Sequence, residues 1–385
     1  MKRSYTIGFD AKHANQGSTT QSSYARFVIE ALSDACPRNS YFRMYIERSK
    51  PHADYERLAK RHNVESMEPD GMLWRKLPGI WRLWHITKDM QRGDVDLYHS
   101  LSGSLPFGLS RCDIRSVTTI HSLEFLRLRR FFKPLHNLYR RLLILSSMHR
   151  ADRIIAVSES VKRDITRYFH IDPDKIDVIY QGCHNRFTEP ITDERIAILR
   201  ERYNLPERYI LVVGTHSTRK NLNTIIETLP NIDPSIHLVL AGRGTSNTAH
   251  IMHRVKSLDM ENRVHMLHGV ADEDMPALYS SALAYLMMSL YEGFSTTIIE
   301  AITVGTPVIA ARGSSLEEAG GPSSIYVGPN DREALAKAIE RIATDDALRQ
   351  KMINDGRDYS TRFRHEVVAY NLINCYRRIG IDIRE

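Results

Sequence analysis

Hydrophobic and polar positions alternate along this chain in two long series. In the first, short apolar runs at 5–10, 42–47, 96–100, 116–121, 153–158 and 176–180 are separated by longer stretches with helical spacing at 23–32, 74–90, 131–149 and 159–169. The pattern then restarts with apolar runs at 209–214, 237–241, 264–269, 282–288, 307–311 and 324–327, and helical patterns beginning near Asn221, Thr248, Asp272, Ser295 and Asp331. Short buried strands alternating with helices predict a parallel sheet covered on both faces, once in each series. The fold class expected is therefore α/β, with two Rossmann-like doubly wound domains facing each other across a cleft. Ligand sites are expected at the carboxyl ends of the strands.

Between the series, residues 182–190 (GCHNRFTEP) are polar and end in proline, the pattern of an interdomain linker. A last helical pattern from His365 to about Arg378 has no strand after it. The expected domains are 1–185, 186–362 and a terminal helical segment 363–385.

The stretch that organises the reading is 289–307, SLYEGFSTTIIEAITVGTP, lying between two apolar strands. Gly293 permits a tight turn, and Ser295 can cap the helix that follows, whose free N–H groups would face the end of the preceding strand. Glu292 lies in the turn and Glu300 on the helix. Carboxylates accept hydrogen bonds from sugar hydroxyls, while backbone N–H groups and the helix dipole favour phosphate. An ordinary strand-turn-helix with two solvated glutamates is the plain alternative.

The other series member of interest is Gly214-Thr-His-Ser-Thr-Arg219-Lys220-Asn-Leu222, which opens a helix after the first strand of the second series. Two adjacent cations there can neutralise a diphosphate leaving group without a metal. His121 follows a first-series strand and is expected to point into the cleft. Residues 15–24, with Gly17 and Ser18, form a small-residue loop after the first strand that lets phosphate or acceptor approach the backbone.

These motifs resemble those of retaining glycosyltransferase family 4, the "glycosyl transferases group 1" of GT-B fold. Two glutamates flanking seven residues, a Gly-Thr strand end followed by Arg-Lys-Asn, and Gly305-Thr-Pro-Val-Ile309 carry the resemblance. It implies that Glu292, with Gly293, Phe294 and Ser295 after it, holds the donor sugar, that Glu300 holds the ribose, and that Arg219 and Lys220 hold the diphosphate. His121 would lie beside the reaction centre, Gly242 and Arg243 would contact nucleotide, and the terminal helix would cross back onto the first domain. The chain departs from the pattern at Ser295-Thr-Thr297, where many relatives carry glycine, leucine and proline. The resemblance implies a hexosyltransferase using a GDP- or UDP-linked sugar, mannose favoured, with a glycan or lipid-linked acceptor in cell-surface polysaccharide synthesis. Alternatives are a sugar-nucleotide epimerase of the same fold and a catalytically silent assembly partner.

Composition narrows this further. The net charge of +7 is uneven: residues 1–190 hold 31 Lys/Arg against 21 Asp/Glu, and residues 191–385 hold 22 against 25. Arg127, Arg129, Arg130, Lys133, Arg140 and Arg141 interleave with Phe125, Phe131, Phe132, Leu135, Leu138, Leu142 and Leu143. That segment suits an anionic membrane surface or a solvated amphipathic helix, and no nucleic-acid motif accompanies it. With no apolar run of transmembrane length and no signal-peptide core, a cytoplasmic protein is expected, with peripheral contact at the inner membrane face. The four cysteines are scattered and read as free buried thiols. Gly242-Arg-Gly244-Thr-Ser-Asn247 has asparagine where a dinucleotide fingerprint needs its third glycine. Asp94-Val-Asp96, Asp172-Pro-Asp174 and Asp272-Glu-Asp274 lie in strand-entry, turn and helix-start contexts. No cofactor and no catalytic metal are expected.

Overall fold

The computed structural model describes residues 4–15, 19–38, 40–47 and 52–383. The chain divides into two compact units: Met1–Gly182 with His365–Glu385, and Cys183–Arg364.

The first unit is built on a seven-stranded sheet in the order β3-β2-β1-β4-β5-β6-β7. Its strands are β1 (Tyr5–Asp10), β2 (Ser40–Tyr45), β3 (Val64–Met67), β4 (Leu97–Ser100), β5 (Arg115–Ile120), β6 (Arg153–Ala156) and β7 (Ile176–Val178). All neighbours pair in parallel. One face of the central strands, with Ile7, Phe9, Phe42, Met44 and Leu97, packs under the helices Thr20–Ala35 and His365–Arg377. Val368, Ala369, Leu372, Ile373, Cys375 and Tyr376 of the C-terminal helix belong to that core.

The second unit carries a six-stranded sheet, β10-β9-β8-β11-β12-β13. Here the strands are β8 (Tyr209–Val213), β9 (His237–Ala241), β10 (Val264–Leu267), β11 (Ala284–Met287), β12 (Val308–Ala311) and β13 (Ile325–Val327), again all parallel. In both sheets the order reverses beside the first strand, between β1 and β4 and between β8 and β11. Such reversals open a crevice outside the carboxyl ends of the strands.

Every strand read from the apolar pattern is present, but several features differ from that reading. β3 was not expected: Val64-Glu-Ser-Met67 is a short edge strand with only Val64 buried, so apolar periodicity barely marks it. The helical pattern at 74–90 breaks at Pro78 and passes through a π-helical turn, Trp81–His85, before the helix Ile86–Arg92. The helices Ala53–Ala59, Asp193–Tyr203 and Asp346–Ser360 also went unread. Phe187, in the polar segment after Gly182, is buried against the Tyr279 ring, 5.9 Å between centroids. Cys36, Cys183 and Cys375 are free and buried, whereas free Cys112 is only half-buried. Among the described residues, no helix is long and apolar enough to cross a membrane.

Candidate functional site

The site of the second unit forms where β8 and β11, neighbours in the sheet, release their carboxyl ends. After β8 the chain runs through Gly214 into the turn Thr218–Lys220, and Asn221, in a left-handed conformation, starts the helix Leu222–Thr228. After β11 it runs through Leu290 and Glu292 to the helix Thr296–Val304. Two hydrogen bonds tie these segments together: the Leu290 N–H donates to the Arg219 carbonyl at 2.9 Å, and the Arg219 guanidinium to the Tyr291 carbonyl at 2.9 Å.

Glu292 stands between the two cations. Lys220 Nζ donates to its Oε1 at 2.9 Å, and Arg219 pairs with its Oε2. The side chains of Glu292 and Lys220 are each 12% exposed. Burial opposes ionisation of Glu292, yet Lys220 and Arg219 outweigh it and hold its pKa at about 2. Glu292 is therefore a carboxylate across the physiological range and has no proton to give. Ser315 Oγ donates to its backbone carbonyl at 2.9 Å, which fixes the turn from the other side.

Beneath the cations, two strand ends meet without side chains between them. The Gly214 N–H donates to the Ala241 carbonyl at 2.9 Å, and the Gly242 N–H to the Leu267 carbonyl at 3.0 Å. A Cβ on Gly242 would lie 1.9 Å from the Gly214 oxygen, and one on Gly214 would lie 3.3 Å from Lys220 Cε. Glycine at 242 is thus a steric requirement of the floor on which Lys220 rests.

Glu300 sits on the helix Thr296–Val304 and accepts from the Tyr279 hydroxyl at 2.9 Å. Its burial pushes the pKa up to about 7; Tyr279 and Arg186 oppose the rise, and Asp272 adds to it. The phenol of Tyr285, which donates to Thr297 Oγ1 at 2.8 Å, feels both Glu292 and Glu300. Gly293, Phe294 and Ser295 are buried, Phe294 against Phe363 with 5.8 Å between ring centroids. Ser295 occupies the N-cap position, but the expected side-chain cap is not made. Its hydroxyl instead lies 3.1 Å from Thr297 Oγ1.

His121, directly after β5, belongs to the first unit. Its Nε2 is 2.8 Å from the Leu101 carbonyl and must donate there, which leaves Nδ1 to accept from the Gln181 amide at 3.0 Å. The ring meets Tyr24 edge-on, 4.6 Å between centroids. Burial lowers its pKa to about 4, so the ring is neutral. Both nitrogens are engaged, a geometry that suits positioning and offers no free base. Gly17 and Ser18 lie outside the described residues.

Within the aspartate pairs, three carboxylates have bonding partners. Asp96 Oδ2 accepts from the Thr6 N–H at 2.9 Å, and Asp172 from the Asp174 N–H at 2.9 Å. Asp274 makes no helix cap, contrary to expectation. Its carboxylate is taken by Arg202 at 2.7 Å and the Tyr203 hydroxyl at 2.9 Å.

Sequence reading overlooked Tyr279 and His216. His216 is buried, lies 3.2 Å from Thr248 Oγ1 through Nδ1, and leaves Nε2 without a partner. Its place in the quoted Gly214–Leu222 segment was the only signal available.

Residues 196–359 match the family described as Glycosyl transferases group 1, and residues 28–185 match Glycosyltransferase Family 4. The chain belongs to the group 1 glycosyltransferases. Among its relatives, O-antigen chain mannosyltransferase B of Escherichia coli is 27% identical, over 73% of this chain and 74% of the relative. O-antigen chain mannosyltransferase RfbU of Salmonella typhimurium is 27% identical, over 68% and 71%. Similar solved structures include sucrose-phosphate synthase from Thermosynechococcus elongatus, at 22% identity and a TM-score of 0.79 over 97% of this chain and 99% of that one. HepE of Anabaena, solved with UDP and glucose, is 18% identical with a TM-score of 0.76 over 98% and 100%. The fold of this glycosyltransferase is thus GT-B, with two Rossmann-like domains.

Proposed function

We propose that this glycosyltransferase moves a hexose, mannose favoured, from a GDP- or UDP-linked donor to a glycan or lipid-linked saccharide in cell-surface polysaccharide synthesis. The transfer retains anomeric configuration and uses no metal. The observation that carries this reading is the Arg219–Glu292–Lys220 triad above the Gly214 and Gly242 floor. Relatives named as O-antigen chain mannosyltransferases support the choice of sugar and setting.

As the glycosidic bond breaks, negative charge grows on the diphosphate, and Arg219 and Lys220 are already held where two cations can meet it. Glu292, ionised throughout, accepts hydrogen bonds from the sugar hydroxyls. The acceptor oxygen bonds to the anomeric carbon on the face the diphosphate leaves, and the departing phosphate oxygen takes the acceptor proton. His121 orients the sugar with its neutral ring.

The testing experiment is a thermal-shift panel with UDP, GDP and ADP, each with EDTA and with magnesium. A diphosphate at about 100 times its Kd stabilises by roughly 2.7 kcal/mol. A shift with one nucleotide that EDTA leaves unchanged is expected; silence with all three, or dependence on magnesium, sinks the reading.

Glu300 is assigned to the ribose, and this gives a pH dependence. With its folded pKa raised from 4.5 to about 7, the group favours folding fully below its ordinary value, and that contribution is lost as pH climbs through 7. Ribose hydroxyls donate to the carboxylate, so the ligand selects the ionised form. Nucleotide affinity should rise with pH, approaching about tenfold per unit below 7, and level off above it. Calorimetric titrations between pH 5.5 and 8.5 that show no slope, or a slope that persists in Glu300→Gln, contradict the assignment.

We also place the protein in the cytoplasm, docked at the inner membrane face through the helix Pro134–Arg150. Leu135 is 83% exposed, and Leu138, Tyr139 and Leu142 continue the same exposed stripe at helical spacing. Arg140 lies over the Phe125 ring and Arg141 over Phe169. Apolar side chains flanked by cations fit an anionic bilayer. Vesicles containing phosphatidylglycerol should sediment the protein, and Leu135→Ser with Leu142→Ser should weaken this by at least about tenfold, since each buried leucine is worth roughly 1.5–3 kcal/mol. Equal sedimentation by phosphatidylcholine vesicles alone would remove the charge argument.

A further inference from the structure

All three tryptophans of the chain, Trp74, Trp81 and Trp84, lie between positions 74 and 84 of the first unit. Two short helices, Met72–Lys76 and Pro78–Ile80, lead there into the π-helical turn. Trp81 holds the segment down: its buried ring lies 6.3 Å from that of Tyr45, and its Nε1 donates to Asp89 Oδ2 at 2.7 Å. Trp74 stacks on His85 with 4.4 Å between centroids, and the Leu83 carbonyl accepts from the Phe107 N–H at 2.8 Å.

The rest of this apolar segment faces water. Met72 is 76% and Trp84 63% exposed, and Leu73, Leu77 and Ile80 are exposed as well. Neither short helix buries a residue, so packing within the unit accounts for none of these side chains. Clusters of large apolar residues that serve no core mark contact surfaces.

Charge chooses the partner. Between Asp70 and Asp89 the chain holds Arg75, Lys76, Arg82 and Lys88 and no acidic residue. Glu47 accepts from Arg82 at 2.8 Å, whereas Arg75 and Lys76, between Leu73 and Leu77, are exposed, as is Lys88. A second copy meeting this face across a two-fold axis would set these cations against their own equivalents. An anionic bilayer does the opposite. Its phosphates attract the cations, its acyl boundary takes the aliphatic side chains, and tryptophan rings favour its headgroup level. The segment also joins the helix Pro134–Arg150 through one ring: Phe107 lies 4.7 Å from Trp84, and Arg150, the last residue of that helix, lies over Phe107 at 5.0 Å.

We propose that residues 72–84 are a tryptophan-bearing membrane contact of the first unit, with Met72, Leu73, Leu77, Ile80 and Trp84 entering the headgroup layer of an anionic bilayer and Arg75, Lys76 and Lys88 meeting lipid phosphates. The inference deepens the membrane reading given for the helix Pro134–Arg150. It stands on separate residues, so either can fail alone.

Because every tryptophan lies in this segment, the emission of the unlabelled full chain reports on it. Vesicles containing phosphatidylglycerol should shift that emission to the blue, and bromine on the lipid acyl chains should quench it. Trp84→Phe should remove most of the quenching, since Trp81 is buried within the unit. Leu77→Ser with Ile80→Ser should weaken vesicle affinity by at least about tenfold. Both positions are exposed, so the melting curve should not move. The quenching needs no variant, which keeps the test valid if the serine pair fails to fold.

Vesicles that sediment the protein with its tryptophans unquenched overturn the proposal and leave the helix Pro134–Arg150 as the contact. Affinity that survives the serine pair, equal quenching by brominated phosphatidylcholine alone, or a blue shift that grows with protein concentration without lipid, the mark of a second copy, overturns it too. Quenching and affinity unchanged in Leu135→Ser with Leu142→Ser would remove the helix and keep this segment. No binding to any vesicle would overturn both.

Discussion

Lys220→Ala is expected to lower kcat/KM by about 10³-fold while the chain stays folded. The Lys220 ammonium sits on Glu292 Oε1, its stem crosses Gly214, and its Nζ also touches Met287 Sδ at 3.5 Å. Removing it takes away one of two charges set to meet the leaving diphosphate. Breaking a buried ion pair is usually costly because a charge is stranded. Here Glu292 keeps Arg219 on its other oxygen, so the carboxylate is not orphaned. The loss should therefore fall on turnover and nucleotide affinity, with the melting curve retaining its single cooperative transition. Lys220→Arg keeps a cation but not the point charge on a slim stem, and only partial recovery is expected. Steady-state kinetics beside a thermal melt decide the matter: turnover like the wild type would remove Lys220 from the chemistry.

Gly242→Ala should be the more damaging change at the floor. Its Cβ would press on the Gly214 carbonyl at 1.9 Å, a backbone contact that no side-chain rotation can relieve. The β8 and β9 ends must separate, and Lys220 moves with them. Nucleotide protection should vanish, and the melting temperature should drop by about 2–4 °C for each kcal/mol lost. Gly214→Ala is the informative comparison. Its Cβ meets only the flexible end of Lys220, although a φ of 131° strains any side chain there. Affinity should fall less at 214 than at 242. The reverse order would mean that backbone conformation, and not the contact between strand ends, shapes the site.

Local chemistry made part of this site legible. Arg219 and Lys220 are adjacent, Glu292 and Glu300 lie on one turn and helix, and such spacings survive in a linear string. What could not be read was pairing across distance. Nothing in the string says that Arg219 and Lys220 clasp Glu292, 72 residues away for Lys220, or that Gln181, 60 residues on, engages the His121 ring. The missed elements have simpler causes. β3 is an edge strand with too little buried surface to leave an alternating pattern, and the π-turn at Trp81–His85 keeps the apolar content of a helix while shifting its phase.

The two units differ in when they can fold. Cys183–Arg364 is one uninterrupted run of chain, whereas the first unit needs residues from 365 onward to cover Phe9, Phe27 and Phe42 and to give His99 its Tyr376 partner at 2.7 Å. At roughly 5–20 residues per second of synthesis, the N-terminal sheet waits about 10–40 s for its last helix. The later unit can therefore complete its core first, while the earlier one keeps an open flank until the terminal helix has been made.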